Sequence, residues 1–465
     1  MRCLSMRIRY LWGPIAAMVL AGIAGTARSG EASEGDSQGA AAFRLLTDSS
    51  ETVAQAAPNP KATPSPGATV SPKGPSKPKI PPAKPGVPFG ETPPKTPEAT
   101  PPAPNPVSSI FGGNVPPAEH LAGTPNMFGD FFNNMGGSVI AFGPFSSAQA
   151  DLPLAGASRR VKVAEDDNAL PQDRVFFLYN HFENALDMHS RMDVLNPIDR
   201  SFSVDRYTFG LEKTLLDRCW SVELRMPLAG ETDFSTPQFG VSGGSTGNLA
   251  VIVKRSIYES DTAAVAIGLG IDTPTGSDVQ GFASIVTPKF TFFTMHNDAV
   301  HLLPFAGFVR APNERFFYQG FAQADIAANG NRIDYQGFTR SSLIQSGPLG
   351  ILNEQNLLYL DVSGGYWLYR NRCACGLTGL ASVLEFHYTT TLQDTDRVFQ
   401  PVYPAGLRLI FENFANRVDI VNLTVGLHAE FANHTLCRVG GVFPLSTGDN
   451  RSFNSEVQVQ VERRF

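Results

Sequence analysis

The chain has 465 residues, of which 42% are hydrophobic and 17% are charged, and its formal net charge is −6. A mildly acidic chain lacks the basic face that nucleic-acid binding needs, so we exclude nucleic acid as a partner. The few cysteines, five in all, also exclude a disulfide-based scaffold.

The first 27 residues predict a secretory signal peptide. Arg2, Arg7 and Arg9 precede an apolar run over 11–24, and small residues follow that run. The run is shorter than the about 20 residues that cross a bilayer as a helix. No other stretch of the sequence is apolar enough to do so, and we therefore expect an exported protein.

The segment before the main domain divides into three parts. Residues 28–57 are small and polar, and we expect them to be disordered. Residues 58–106 are dense in proline with interspersed lysines, which predicts an extended linker. We interpret the linker as a solvated tether, although its positive charge also suits an anionic cell-wall polymer as a partner. Residues 107–170 stay unassigned, because a periplasmic segment, a partial plug of a lumen and disorder all fit their Gly/Asn/Phe-rich composition.

From residue 171 to the end, short segments alternate apolar and polar residues, which is the pattern of two-faced β-strands. In the last one, valines alternate with Gln and Glu between Glu456 and Glu462, and the chain ends on Phe465. An apolar face for lipid and a polar face for a watery lumen predict an all-β, antiparallel transmembrane β-barrel of about 14 strands (12–14) over 171–465. The alternative is an edge strand of a soluble sandwich.

The predicted strands span 174–182, 205–215, 219–228, 247–257, 262–273, 283–295, 299–310, 315–327, 332–345, 356–370, 373–390, 416–431, 435–445 and 453–465. Counting back from a periplasmic C-terminus assigns each connection to one side of the membrane. The predicted periplasmic turns are 216–218, 258–261, 296–298, 328–331, 371–372 and 432–434. The predicted outer loops are 183–204, 229–246, 274–282, 311–314, 346–355, 391–415 and 446–452. Short turns that alternate with longer loops are typical of outer-membrane barrels.

Charged residues on the polar side of each strand are expected to face the lumen, because a charge facing lipid costs about 2–4 kcal/mol at mid-membrane. The lumen-facing candidates are Arg206, Glu212, Glu223, Arg225, Asp361, Glu385, His387, His428, Glu430, Arg438, Gln458 and Gln460. Their mixed signs predict a hydrated passage without strong ion selectivity. The alternative is that they pair with each other and fill the interior.

Aromatic residues near the strand ends predict two interfacial girdles. The membrane-interface and assembly candidates are Tyr207, Trp220, Tyr388, Phe431 and Phe465. The expected partners are therefore outer-membrane lipid and, through the C-terminal strand, the barrel assembly machinery.

Catalytic and metal sites find little support in the sequence. His387 lies near 389–391, a run of threonines, and His181 and His189 lie near Ser190, but such neighbours arise by chance in a chain of this length. We therefore expect no enzyme and no cofactor.

The cysteines that follow the signal peptide are Cys219, Cys373, Cys375 and Cys437. A thiolate metal site there is conceivable, but we favour incidental thiols or a disulfide at the rim and predict no metal.

Two stretches, 160–182 and 385–392, resemble segments of a family of exported, uncharacterised planctomycete barrel proteins. The style of strands and loops over 158–465 resembles, more distantly, porin-like aromatic-pathway outer-membrane proteins. The resemblance implies an outer-membrane location and brings no catalytic residue or substrate. We expect an outer-membrane channel for the passive passage of small solutes. The alternatives are a closed structural barrel that tethers the membrane to the cell wall and a membrane-embedded hydrolase.

Overall fold

The structure is a computed structural model of the chain. It describes residues 121, 123–130, 137–142, 147–191, 197–230, 232–236, 239–283, 290–338, 344–402, 407–413 and 415–465. The predicted signal peptide, disordered segment and proline-rich linker lie outside the described residues. The chain divides into residues 1–97 and 98–465, and every described residue belongs to the second unit.

Strands make up almost all of the regular structure among the described residues. In chain order they are β1 Ser138–Phe142, β2 Ser147–Asp151, β3 Arg174–Ser190, β4 Ile198–Leu215, β5 Trp220–Ala229, β6 Phe234–Ser235, β7 Phe239–Ser242, β8 Leu249–Glu259, β9 Ala263–Thr273, β10 Val279–Ala283, β11 Phe290–Met295, β12 His301–Arg310, β13 Phe316–Ala327, β14 Asn331–Phe338, β15 Ile344–Leu352, β16 Leu357–Arg370, β17 Leu377–Thr391, β18 Arg397–Val402, β19 Leu407–Glu412, β20 Asp419–Phe431, β21 Thr435–Pro444 and β22 Ser455–Arg464. Two short 3-10 helices span Leu154–Ala157 and Gly448–Asn450.

An antiparallel barrel of 12 strands forms the body of the molecule. The strands follow the order β3-β22-β21-β20-β17-β16-β13-β12-β9-β8-β5-β4, and the pairing of β3 with β4 closes the ring. The predicted all-β transmembrane barrel is confirmed, with the strand number at the lower end of the predicted range. Closure leaves the ring without an exposed edge.

The two ends of the barrel differ. At one end, which we call the turn end, the connections are short: 216–219, 260–262, 311–315, 371–376 and 432–434. The C-terminus lies at this end as well, since the Phe465 N–H donates to the carbonyl oxygen of Asp173, just before β3. At the other end, the cap end, four connections are long and carry strands of their own: those between β5 and β8, β9 and β12, β13 and β16, and β17 and β20.

The extra strands at the cap end correct two predictions. Segments 283–295 and 332–345 are not barrel strands, because β11 lies in the first and β14 in the second, and both belong to a separate sheet. Consequently 296–298 and 328–331 lie in cap-end connections, whereas 311–314 is a turn-end connection rather than an outer loop. Strand alternation alone cannot separate a membrane strand from a strand in a long loop, because both have two unlike faces.

The cap consists of two sheets that pack on each other at the cap end. One extends the barrel sheet from β3 through β2, β1, β19 and β18, and the other has the order β15-β14-β11-β10-β7-β6. Their facing side chains form an apolar core, in which the rings of Phe293 (β11) and Phe411 (β19) lie 5.0 Å apart, edge to face. Edge-to-face aromatic pairs add about 0.5–1.5 kcal/mol beyond their burial.

The outer face of the barrel is apolar around the ring. Val457, Val439, Leu427 and Phe386, from β22, β21, β20 and β17, are each exposed over about half of their surface. The residues between them on the same strands face inward and are buried, as Gln458 is. A water-soluble barrel would not expose such a band, which is therefore the lipid-facing surface of a transmembrane barrel.

Candidate functional site

The lumen of the barrel is filled by the chain's own residues. Segment 123–130 rises from the turn end to mid-lumen, and segment 152–172 descends from the cap to the turn end, where it leads into β3; together we call them the plug. The two passes are joined by backbone hydrogen bonds: the Met127 N–H donates to the Asp167 carbonyl at 2.9 Å, and the Asp166 N–H donates to the Met127 carbonyl at 3.1 Å. The unassigned segment of the sequence, 107–170, thus contains all but the last two residues of the plug.

At the cap end of the lumen, plug cations meet wall carboxylates. Arg160 lies 2.9 Å from Asp325 on β13 and 3.1 Å from Glu354, which precedes β16. Arg159 lies 3.0 Å from the second oxygen of Glu354. His301 on β12 bridges the same two carboxylates, at 2.6 Å from Asp325 and 3.2 Å from Glu354. All these side chains are buried.

In mid-lumen, Lys162 is the central cation. Its ammonium group lies 2.6 Å from Asp361 on β16 and also contacts Asp130 of the ascending pass. His387 on β17 lies 2.8 Å from the same Asp361 oxygen. Glu385, also on β17, accepts hydrogen bonds from the backbone N–H of Phe128, at 3.0 Å, and from that of Gly129. Wall carboxylates therefore hold both passes of the plug.

At the turn end the signs are reversed, and plug acids meet wall cations. Arg174, the first residue of β3, lies 3.0 Å from Asp166 of the plug and 2.7 Å and 2.8 Å from Glu212 and Glu223 of the wall. Arg438 on β21 also pairs with Asp166. These side chains are buried, so each charge depends on its partner for stabilisation in the absence of water.

Two further plug acids extend the same pattern. Lys254 on β8 lies 2.5 Å from Asp167 and donates to the carbonyl of Asn168 at 3.0 Å. Glu165 pairs with Arg206 on β4. Charge complementarity thus sets the register of the descending pass: its cations pair with Asp325 on β13, Asp361 on β16 and Glu354, and its acids pair with cations on β3, β4, β8 and β21. Sliding the plug would bring like charges together, which is costly where water is excluded.

The predicted lumen-facing residues have the following positions in the structure. All of them except Glu430 are buried inside the barrel, and Glu430 is partly exposed near the turn end. Several contact the plug rather than a water-filled space: the Gln458 and Gln460 side-chain amides donate to the carbonyls of Gly129 and Phe128, at 3.0 Å and 2.9 Å. Arg225 donates to two plug carbonyls, those of 162 and 163. His428 instead lies 3.5 Å from Glu430.

The predicted interface aromatics lie on the outer face at both ends. Near the cap end, the ring of Tyr207 stands 5.4 Å from that of Tyr179, and the Tyr388 hydroxyl donates to Asp419 at 2.6 Å. Near the turn end, Phe431 and Phe465 are exposed by 39% and 61%. Trp220, at the same end, lies beneath Arg255.

The plug residues themselves were missed by the sequence interpretation. Their signal was a dense run of charges of both signs over 159–168, directly before the first barrel strand. The same run carried part of the family resemblance, but without the wall partners nothing in it indicates a lumen. A second signal lay in Gly426 and Gly440 on the polar face of β20 and β21, because a Cβ at either position would overlap the ring of Phe128.

Within the described ranges, two buried groups of acidic and histidine side chains are close enough to hold a metal ion: Asp130, Asp361 and His387, and Asp167, Glu212 and Glu223. In each group a protein cation already pairs with the carboxylates, Lys162 in the first and Lys254 in the second. The carboxylates are therefore charge-compensated by the chain itself.

The hydrolase alternative considered His181 and His189 near Ser190, which lie beside Asp205 and Asp199, and His387 beside a run of threonines. The structure instead sets His387 between Asp361, at 2.8 Å, and Thr424, at 3.1 Å. The Thr424 hydroxyl also donates to the Gly129 carbonyl of the plug, at 3.3 Å, and the group is buried. A nucleophile must be reached by its substrate, and the plug covers this one.

Of the four cysteines that were considered for a metal site or a disulfide, Cys219, Cys373 and Cys437 are free thiols. Cys219, Cys373 and Cys375 are exposed in turn-end connections, and Cys437 is half-buried on β21. Among the residues that the structure describes, no helix is both long and apolar enough to traverse a bilayer.

No protein-family profile and no curated protein matches the chain. Among solved structures it is similar to the NanC porin, at 9% identity over 63% of this chain and 98% of that one, with a TM-score of 0.32. An outer membrane channel from Pseudomonas putida F1 is similar at 14% identity over 67% and 98%, with a TM-score of 0.36. The Ralstonia pickettii toluene transporter TbuX is similar at 9% identity over 64% and 92%, with a TM-score of 0.30. The predicted resemblance to porin-like and aromatic-pathway outer-membrane barrels is confirmed at the level of the type of protein. At these TM-scores the matches carry no argument about function.

Proposed function

We propose that the chain is an outer-membrane channel of porin type that is closed at rest by its own plug. One observation carries the proposal: the boundary between plug and wall contains many buried ion pairs and hydrogen bonds, beside two apolar clusters that also join plug and wall. Lys162, Asp166 and Asp167 of the plug pair with wall charges, and several main-chain carbonyls of the plug accept hydrogen bonds from wall side chains. A wall of this kind stays wettable once the plug leaves.

A permanently closed barrel has no need of such a boundary. Burying paired charges is often no more stabilising than packing apolar side chains of similar volume, because each ion loses its hydration. The cap, by contrast, has a core of mainly apolar side chains. The many buried charges of the lumen therefore favour a plug that exchanges its contacts for water over a filling that never moves.

The proposed orientation sets the turn end in the periplasm and the cap outside the cell. Short turns and the C-terminal strand at one end are typical of outer-membrane barrels. Leu121, the first described residue, packs near the turn end with Ala311 and Trp367, so the preceding arm would also be periplasmic. Export by the predicted signal peptide, insertion by the barrel assembly machinery and contact with outer-membrane lipid follow as proposals.

The solutes that we propose are small and hydrophilic, and they pass only while the plug is displaced. The mixed charges of the wall, from Arg206 to Glu385, would be hydrated in that state. At rest the same charges are neutralised by the plug, and we expect the full chain to be non-conducting.

Planar-bilayer recording tests the proposal. The full chain should insert without stepwise conductance, whereas a variant that lacks residues 28–170 should conduct. Because this deletion also removes β1 and β2 from the cap, circular dichroism must first show that the variant folds. Lys162→Met, which keeps the whole chain, provides the second arm of the test. If every folded variant stays silent, the channel proposal is wrong.

A second candidate is a structural barrel that links the membrane to the cell wall. It is favoured by the order of the segments, because in the sequence the proline-rich arm precedes a plug that is bound inside the barrel. The plug is held by ion pairs such as that of Lys162 with Asp361. A pull on the arm would act on those contacts. Binding of residues 58–106 to purified anionic cell-wall polymer, together with silence of all folded variants, would favour this candidate. Ester or lipid hydrolysis that is abolished by His387→Ala would instead revive the hydrolase alternative.

A further inference from the structure

The guanidinium group of Arg160 is held by groups that belong to the wall and to a cap-end connection, not to the plug. One nitrogen lies 2.9 Å from Asp325 Oδ1, and the other lies 3.1 Å from Glu354 Oε2 and donates to the carbonyl of Gln355 at 2.8 Å. The Tyr359 hydroxyl donates to the second oxygen of Asp325, at 3.2 Å. Forked pairing with carboxylates and a third acceptor is the geometry that recognises a guanidinium group.

An unpartnered carboxylate lies in the same cluster. Asp272 on β9 is buried, and neither of its oxygens has a hydrogen-bond partner in the part of the chain that the structure describes. In the sheet it is paired in register with His301, whose ring contacts both Asp325 and Glu354. We call Asp272, Asp325 and Glu354 the acidic cradle. Its three carboxylates face two plug guanidinium groups, those of Arg159 and Arg160.

We propose that the acidic cradle is a binding site for guanidinium-bearing solutes, and that Arg160 occupies it at rest as a tethered ligand. The inference rests on the proposed function, since the solute enters only when the plug moves. Withdrawal of the plug would leave the carboxylates of Asp325 and Glu354, with the carboxyl group of Asp272 beside them, against one imidazole, that of His301. A buried negative excess of this kind attracts a cation, and the fork formed by Asp325 and Glu354 selects a planar one.

A small cavity at the cap end lies beside the cradle and is lined in part by Glu354 and Gln355 together with Thr395 and Asn413. Shortening the Arg160 side chain would leave space next to Asp325 and Glu354 for a free guanidinium ion. Substitution of Arg160 therefore offers a test that does not need an open channel.

Chemical rescue provides that test on the full chain in detergent. Arg160→Ala should unfold at a lower temperature than the wild type, and guanidinium chloride at low millimolar concentration should raise the midpoint by about 3 °C. Urea, the uncharged analogue of the same shape, should not, and the wild type should respond to neither. The double variant with Asp325→Asn should lose the rescue. Absence of rescue, or equal rescue by urea, overturns the proposal.

If Arg160→Ala does not fold, conductance supplies the second measurement. In the Lys162→Met barrel, L-arginine should block the current, and adding Asp325→Asn with Glu354→Gln should raise the blocking concentration about tenfold. Block that is unchanged by these substitutions overturns the cradle. The two proposals fail separately: silent folded variants contradict the channel, whereas a conducting barrel without rescue or block contradicts only the cradle.

Discussion

The plug is expected to open when its central cation is removed. Lys162→Met keeps the length of the side chain and deletes the charge that contacts Asp361 and Asp130. Breaking a buried ion pair by removing one partner costs about 3–5 kcal/mol, because the remaining charge is left uncompensated. An equilibrium constant changes about tenfold for every 1.4 kcal/mol. The equilibrium between the seated and the withdrawn plug should therefore shift toward withdrawal by about 10²-fold or more.

Single-channel recording measures this shift as open probability. Wild-type barrels should show rare openings or none, and Lys162→Met barrels should open at least about 100 times more often at the same voltage. Lys213→Met is the matched control, because Lys213 pairs with Asp173 at the turn-end rim and its side chain is 57% exposed. An exposed pair contributes about 0–1 kcal/mol, so the control should stay closed.

A second substitution separates loss of the ion pair from general damage. Asp361→Asn removes the carboxylate that Lys162→Met leaves without its cation, so the double variant should open less often than Lys162→Met alone. Residues in direct contact show coupling energies of about 0.5–3 kcal/mol. If Lys162→Met folds and remains as silent as the wild type, or if the two substitutions act additively, the ion pair does not hold the plug.

Two pH-dependent predictions concern groups outside the membrane. Burial raises the pKa of Asp151, in the cap, to about 6, despite hydrogen bonds from Ser138 and from the Asp187 N–H. The contribution of Asp151 to the free energy of unfolding is therefore fully present below pH 3.8, the ordinary pKa of an aspartate, and is lost as the pH rises through about 6. Asp151→Asn should remove that dependence in urea unfolding between pH 4 and 7. At the turn end, burial alone would raise the pKa of Asp173, but hydrogen bonds, including one from the Thr214 N–H, lower it to about 2. The contribution of Asp173 to the free energy of unfolding is therefore present above pH 3.8 and is lost as the pH falls through about 2. Between pH 5 and pH 2, the free energy of unfolding of Asp173→Asn should fall by about 1 kcal/mol less than that of the wild type.

The barrel could be predicted because the pattern that specifies it lies within each single strand. A strand in lipid must alternate apolar and polar side chains along its whole length, and β22 does so from Glu456 to Glu462. Pairing then repeats the pattern around the ring. The cap was not predictable in the same way, because β11 and β14 also have an apolar face. That face meets another sheet rather than lipid, and Phe293 against Phe411 is a contact between segments far apart in the sequence.

The candidate site was predictable on one side only. The wall charges follow from strand parity, so Arg206, Asp361 and Glu385 could be assigned to the lumen without a structure. Their partners could not, since the plug has no regular secondary structure beyond the short 3-10 helix Leu154–Ala157 and its conformation is set by the contacts it makes. Arg160 and Lys162 gain their positions from Asp325 and Asp361, and no periodicity in the sequence links these pairs.

The glycines of the wall give a last test of how the plug is seated. Elsewhere in the barrel, an aromatic ring of the wall itself covers a lumen-side glycine, as Phe317 covers Gly365. At Gly426 the covering ring is Phe128 of the plug, and a Cβ there would overlap it. Gly426→Ala should therefore displace the ascending pass, at a cost of about 1–3 kcal/mol for overpacking, and should raise the open probability. Phe128→Ala combined with Gly426→Ala restores space for the new methyl group, so the double variant should open less often than Gly426→Ala alone. Gly364→Ala, where a Cβ meets no atom within 4 Å, is the control and should stay closed. Equal opening of Gly426→Ala and the control would mean that Phe128 is not seated against β20, and the ascending pass would then lie elsewhere in the lumen.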